Sequence, residues 1–296
     1  MCKKLSIIPV LLLISSVATG QGQDSATYER DLQVIATMLP GRFANANQAY
    51  FDVRGDRAEK HGSFSVTVEA VGGSTSNAFL ATIERPGEDA PRYERWLLEP
   101  DSGAAAVRMR MWQVDGPDDV EREAATCDVH WHREAAQFRA VAAGDCVAGF
   151  ANEFVLSSQQ FWIAYPASSA SDYRMHRARE FECYADIPGV GGGRDEPYQR
   201  YGGFPVHDQG GSVWFTSSGG QRLGISLFLV DWPINNYEGI FTRDSLVVYV
   251  NEEIDGERKQ HGYAFTLPQA DRVGINLKWI LVNCYMESNA VATPSM

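Results

Sequence analysis

The sequence predicts an all-β protein with one helix ahead of its strands, and three observations carry that expectation. Apolar and polar residues alternate with a period of two along most of the chain, the alternating runs are short, and turn residues cluster between them. Short strands at this density belong to an antiparallel barrel or a sandwich. A stretch rich in Ser, Ala and Asp at 166–176 reads as a linker or a long surface loop, so the strands fall into two β-rich regions, 28–165 and 177–287.

At the amino end, Lys3 and Lys4 precede an apolar run from Leu5 to Val17 and the small residues Ala18, Thr19 and Gly20. This is the order of a cleavable secretory signal peptide over residues 1–20. The run falls short of the roughly twenty apolar residues that a bilayer span needs. The remaining chain is therefore expected to be soluble and periplasmic or secreted, with no transmembrane segment. No cysteine follows the run where a lipid anchor requires one.

Next, Asp24, Ser25 and Thr27 offer capping oxygens ahead of Leu32, Ile35, Ala36 and Leu39, which recur at helical spacing until Pro40-Gly41 ends the helix. The period then becomes two: Phe64, Val66, Val68 and Ala70 alternate with Ser65, Thr67 and Glu69. Similar runs follow at 78–84, 93–98, 107–114, 128–133, 137–141 and 153–156. In the second region, 181–185, 213–216, 223–230, 246–251, 261–267 and 273–283 are rich in branched and aromatic residues. Arg222–Leu227 and Arg272–Leu277 resemble one another at a separation of fifty positions, which two similar strands of one sheet explain as well as a duplication does. The tail from Ser288 is small and polar and reads as frayed.

The net charge of −12 falls to about −14 once Lys3 and Lys4 leave, and such an acidic surface repels phosphate backbones. Nucleic acid is excluded as a partner on that ground. Cleavage also removes Cys2 and leaves Cys127, Cys146, Cys183 and Cys284, an even number that can pair in an oxidising compartment. Three connectivities exist; the spacing favours Cys127 with Cys146 and Cys183 with Cys284, one pair in each region.

Familiar catalytic signatures are missing. The chain carries neither a Gly-x-Ser-x-Gly elbow nor a His-Glu-x-x-His pair, and four paired cysteines leave no thiolate nucleophile. The run Gly189-Val190-Gly191-Gly192-Gly193 lacks the Gly-Lys-Ser/Thr ending of a phosphate loop and reads as a flexible hairpin loop. His130 and His132 share a strand face and are the one local metal candidate, but with no third ligand nearby they read as polar strand residues. No metal is expected. His207-Asp208 has the composition of an orienting pair for acid–base work, in a segment that looks like a turn.

Arginine on strands is the stronger signal. Arg108 and Arg110 face the same way. Turned into a barrel, they would need carboxylate partners from the protein or from a ligand, such as the propionates of a tetrapyrrole. Turned outward, they are solvated charge on a strand whose Val107, Met109 and Met111 form core, and those three residues suit a core better.

Three segments together resemble the CpcT/CpeT family of phycobiliprotein chromophore lyases. They are Pro40-Gly41-Arg42-Phe43-Ala44-Asn45-Ala46-Asn47-Gln48-Ala49, then Pro91-Arg92-Tyr93-Glu94-Arg95, then Cys127-Asp128-Val129-His130-Trp131 with Phe138 and Gly144-Asp145-Cys146. Order and spacing agree over residues 28–165. The resemblance implies a calycin-like antiparallel β-barrel, often dimeric, that holds a bilin without a further cofactor and delivers it to a cysteine of an acceptor protein. It also implies roles: Asn45 and Gln48 at the polar positions of the first motif, Arg95 (with Arg108 and Arg110 in the inward alternative) for a propionate, and Tyr93 and Trp131 against pyrrole rings. Glu94 or Asp128 would supply the proton for thiol addition. Each has a plainer reading, since Asn45 and Gln48 also suit backbone bonding in a tight turn and Trp131 also suits a core. Glu94 stands where the family has glutamine, the tyrosine and first arginine are exchanged, and the family's closing Trp-Gly and Gly-Pro elements are not recognisable after Phe161. A non-catalytic carrier of a small hydrophobic ligand, or an envelope interaction protein with a solid barrel, are the alternatives. Export favours them, because an oxidising compartment offers few free acceptor thiols.

Overall fold

A computed structural model describes residues 20–73, 76–119, 127–147, 149–166, 172–189, 197–236 and 239–286. The expected signal peptide up to residue 19, the tail from 288 and most of the glycine run at 189–193 lie outside the described residues. The first helix, α1 (Gly20–Met38), begins ahead of the expected caps, so Asp24, Ser25 and Thr27 lie inside it. Asp, Ser and Thr cost less than about 1 kcal/mol each at interior helical positions, which the apolar face repays on burial. That face is Leu32, Ile35 and Met38, all buried against the strands that follow.

Ten strands close into an antiparallel barrel: β1 (Gly41–Ala44), β2 (Ser65–Ala70), β3 (Ala78–Glu84), β4 (Arg92–Asp101), β5 (Ala106–Val114), β6 (Cys127–Glu134), β7 (Gln137–Ala142), β8 (Glu153–Leu156), β9 (Gln160–Ala164) and β10 (Asp172–Arg177). Each pairs with its sequence neighbour from β2 to β10, and β1 closes the ring between β2 and β10. The stretch expected as a linker at 166–176 therefore supplies the closing strand in its second half. There Tyr173 and Met175 alternate with Arg174 and His176, and Met175 is fully buried. The Ser and Ala content ahead of that alternation conceals it in the sequence.

Alternation puts Val66, Val68, Met109, Met111, Val129, Trp131, Phe154 and Phe161 inside the barrel. Trp96 lies 6.1 Å from both Phe154 and Phe161, and Trp131 lies 5.8 Å from Phe154, so aromatic rings fill the middle of the barrel. Each such ring contributes roughly 2–3 kcal/mol of transfer free energy. Helix α1 closes one end, called the lower end below. Arg177 fastens the closure: Nη1 donates to Pro40 O at 2.6 Å, Nε donates to Ser158 O at 2.9 Å, Nη2 donates to Met38 O, and the guanidinium lies 4.4 Å over the Phe43 ring. Gly41 has φ +130°, and a Cβ there would sit 2.6 Å from Arg177 Nη1, so only glycine admits this arginine.

Beyond the barrel, β11 (Glu180–Ile187), β12 (Gln199–His207), β13 (Gln209–Thr216), β14 (Arg222–Asn236), β15 (Gly239–Ile254), β16 (Glu257–Thr266), β17 (Arg272–Asn276) and β18 (Leu281–Met286) form two antiparallel sheets. Their orders are β12-β11-β18-β17 and β13-β14-β15-β16, and they share a second apolar core that includes Phe181, Ile225, Val248 and Val282. The two similar segments at 222 and 272 are β14 and β17. They lie in different sheets, where the repeated alternation buries Leu223 and Ile225 in one and Val273 and Ile275 in the other. Cys183 stands directly opposite Cys284 across β11 and β18 and is bonded to it, while Cys127 is bonded to Cys146; these are the pairs expected from the spacing. Two disulfides point to an oxidising, extracytoplasmic compartment.

A short second helix, α2 (Ala46–Arg54), leaves β1 and rests on the second unit, where Gly210 of β13 lies beside Ala46. Arg179 and Asp208 hold the junction, with Arg179 N donating to Asp208 Oδ1 at 2.9 Å and Arg179 Nε to Oδ2 at 2.6 Å. Asp208 thus serves a structural bond, and the neighbouring His207 is pushed down to about 4 by burial and by the charge of Arg42. Among the described residues, no helix is long and apolar enough to cross a membrane.

Candidate functional site

In an up-and-down barrel, the end of each odd strand and the start of each even one meet at one rim. The upper rim here collects Arg85 just past β3, Arg92 and Glu94 at the start of β4, Tyr165 just past β9 and Tyr173 in β10. Arg92 and Glu94 are in phase with Trp96 and Leu98, both core residues, so their side chains turn inward. Glu94 is 2 % exposed. Its Oε2 accepts the Trp96 Nε1–H at 2.9 Å, and its Oε1 lies 2.9 Å from Arg92 Nε. Arg92 Nε and Glu94 Oε1 thus form a buried ion pair, while Arg92 Nη2 and Arg85 Nε are buried without a hydrogen-bond acceptor.

Arg85 donates from Nη2 to Gly149 O at 2.8 Å and lies 4.5 Å over the Tyr165 ring, while Arg92 lies 4.4 Å over the Phe150 ring. Two guanidinium groups thus face one buried carboxyl, with Glu88 3.9 Å from Arg85 at the exposed margin. Burial raises the Glu94 carboxyl above its ordinary range, against the opposing pull of Arg92, the Trp96 hydrogen bond and Arg85. Burial, with the Glu94 charge beside it, pushes Tyr165 up to about 12. The cluster can hold a proton on Glu94 and sets two cationic groups against one carboxyl.

A second polar group continues the same rim. Phe64 stacks on Tyr173 at 4.0 Å, and His61 meets Tyr173 edge-on at 5.7 Å. His61 Nδ1 lies 2.5 Å from Asp52 Oδ2, and its Nε2 lies 3.4 Å from Asp172 Oδ1. Burial works to raise the Asp52 carboxyl, but two hydrogen bonds from His61 and the charges of His61 and Arg57 outweigh it, and Asp52 sits below the usual carboxylate range.

The residues expected from the sequence are divided by this geometry. Asn45 Oδ1 accepts the Phe64 N–H at 2.8 Å and its Nδ2 donates to Gly62 O at 3.0 Å. Gln48 donates to Asp172 O at 2.8 Å and accepts from Arg174 N at 3.0 Å. Both border the rim but hold backbone, the plainer of their two readings. Glu94 and Trp131 are inside, yet Trp131 is packed in the filled middle. Tyr93 and Arg95 fall on the opposite phase of β4 and lie outside the barrel. Tyr93 packs there with Leu80, Leu97, Trp112 and Val114, and Arg95 donates to Pro117 O and Asp119 O, both at 2.8 Å.

Arg108 and Arg110 are outside as well, each 2.9 Å from a different oxygen of Glu99. Asp128 lies across from Arg110 on that outer face, remote from Glu94. His130 is 3.4 Å from Asp101, and no group of three or more potential metal ligands is gathered among the described residues. Arg85, Arg92, Tyr165, Tyr173, His61 and Asp52 were not singled out in the sequence. For Arg92 the available signal was its phase with Trp96 and Leu98.

No family model and no curated protein matches the chain. Among solved structures, the chain is similar to the T-type phycobiliprotein lyase CpeT from Prochlorococcus phage P-HM1, at 15 % identity and a TM-score of 0.35, over 49 % of this chain and 96 % of that one. The likeness is distant.

Proposed function

We propose that the upper end of the barrel binds a small hydrophobic molecule carrying a carboxylate, with a bilin-type open-chain tetrapyrrole as the first candidate. The observation that carries this reading is the excess of cationic charge at the rim, where the guanidinium groups of Arg85 and Arg92 lie against a single buried carboxyl. A ligand carboxylate at the mouth would balance the charge of these two groups. Phe150, Tyr165 and Tyr173 supply flat apolar surface around them. The packing of Trp96, Trp131 and Phe154 fills the barrel below, so the ligand belongs at the mouth.

Delivery of the bilin to an acceptor cysteine is the finer form of the proposal, and Glu94 is the group that suits it. The thiol sulfur would bond the exocyclic carbon of the bilin while Glu94 gives its proton to the adjacent position. The thiol proton would return to Glu94, with no oxidant or reductant consumed. Storage or transport without chemistry is the second reading, favoured by the two disulfides, since a compartment that keeps them offers few free thiols.

Titration of the protein with biliverdin tests both. Binding is expected to shift the long-wavelength absorption band, and Arg92→Gln to weaken it about tenfold or more, as the loss of a charge-assisted bond implies. No shift, or a shift indifferent to Arg92→Gln, would sink the proposed site. Adding a small acceptor protein with one free cysteine separates the readings: colour that stays on the acceptor through denaturing electrophoresis supports delivery, and colour that does not leaves binding alone.

A further inference from the structure

A second site lies in the other half of the molecule. On the outer face of β17 and β18, three cross-strand pairs stand in rows: Arg272 with Tyr285, Gly274 with Asn283, and Asn276 with Leu281. The alternate residues Val273, Ile275, Val282 and Cys284 point into the core, so the six turn outward together. Phe265 and Thr266 at the end of β16 border this open groove, whose volume is about 470 Å³. This lies within the roughly 300–1,000 Å³ of small-molecule sites and has room for about two sugar units.

Glycine makes the floor of this groove. A Cβ built on Gly274 would stand 2.5 Å from Asn283 Oδ1 and 3.0 Å from Val282 O, so the Asn283 amide lies across the space that any other residue would fill. Tyr285 is 47 % exposed, which is high for an aromatic side chain lining a concavity. The polar groups beside it are the Asn283 amide, the Arg272 guanidinium, the Thr266 hydroxyl and Asn276, whose Oδ1 accepts the Lys278 N–H at 2.8 Å.

We infer that this groove binds a short oligosaccharide segment. A sugar ring presents an apolar C–H face and an equatorial rim of neighbouring hydroxyls. Tyr285 suits the face, and the Asn283 amide and the Arg272 guanidinium can each reach two adjacent hydroxyls at once. A lipid chain is a poor occupant because the floor is an amide over a glycine rather than apolar side chains. Nucleic acid is a poor one because of the acidic charge of the chain, −12. An extended peptide pairing with the edge strand β17 is the competing occupant, and it would be held by backbone rather than by Asn283.

The test is calorimetric titration of the full chain with cellohexaose, laminarihexaose, chitohexaose and hexagalacturonate, and with a Thr-Val hexapeptide as the strand probe. Tyr285→Ala and Asn283→Ala, both outward-facing, are measured alongside, with thermal unfolding as the check on folding. Saturable binding of at least one sugar is expected, weakened about tenfold in each variant, the scale of one lost stacking or hydrogen-bonding contact. Failure to bind any of the four sugars would overturn the inference, as would sugar binding that both variants leave unchanged, or binding of the peptide alone. Biliverdin binding at the barrel is unaffected by either variant, so the two sites fail or stand separately.

Discussion

Glu94→Gln isolates the buried carboxyl of the barrel mouth. Glutamine has nearly the same shape and keeps an acceptor for the Trp96 Nε1–H that Glu94 Oε2 now receives at 2.9 Å. What changes is the titration. Burial raises the folded-state carboxyl above its ordinary value of 4.5, despite the opposing influence of Arg92 and Arg85. Between the unfolded and the folded value, the native protein keeps a proton that the unfolded chain has lost. Stability from this group is therefore fully present below the unfolded value and is lost as pH rises through the folded one.

One proton gives a slope of at most about 1.4 kcal/mol per pH unit. Relative to the wild type, Glu94→Gln should gain stability as pH rises above 4.5 toward the raised folded value, approaching that slope within the window. Urea unfolding followed by tryptophan fluorescence measures the difference, and titrations common to both proteins cancel from it. The competing account has Arg92 hold Glu94 ionised throughout. In that case Gln would strand a buried guanidinium, the variant would be less stable by about 3–5 kcal/mol, and the difference would be flat above about pH 5. A flat or falling difference would refute the reasoning.

Two further outcomes follow from named contacts. Arg177→Ala removes donors to Pro40 O, Ser158 O and Met38 O together with the contact on Phe43, and should cost about 3–4 kcal/mol in chemical denaturation; Arg177→Lys should recover less than half, because an ammonium cannot span three carbonyls as a planar fork does. Asp231 and Asp244 stand opposite one another in β14 and β15, and their shared hydrogen bond, then burial and the Asp244 charge, push Asp231 up to about 6. Stability from that proton is present below the ordinary carboxylate value and lost as pH rises through about 6, so Asp231→Asn should raise the thermal midpoint relative to wild type at about pH 7.5 but not at about pH 4.

The strand content was legible because most strands carry a clean alternation, and β5 shows why: Val107, Met109 and Met111 on one phase with Arg108 and Arg110 on the other leave little choice of inner face. In β4 the same reasoning stalls, since Tyr93 and Leu97 are as apolar as Trp96 and Leu98. Both phases are used, one inside the barrel and one in an outer cluster with Leu80 and Trp112. The contacts expected at Tyr93 and Arg95 came instead from the resemblance of Pro91–Arg95 to a family motif, and both lie on the outer phase of the strand. The closing strand β10 and the meeting of Arg85, Arg92, Tyr165 and Tyr173 were beyond reach for a different reason. These residues span almost ninety positions, and only ring closure aligns the ends of β3 and β9 with the starts of β4 and β10. Closure also assigns meaning to a local pattern, for a charged residue in phase with the core but at the end of a strand has nowhere to point except the mouth of the barrel. Arg92 and Glu94 fit that description from the sequence alone once Trp96 is taken as core, and the burial of Glu94 beside Arg92 and Arg85 is what makes this strand end a candidate site.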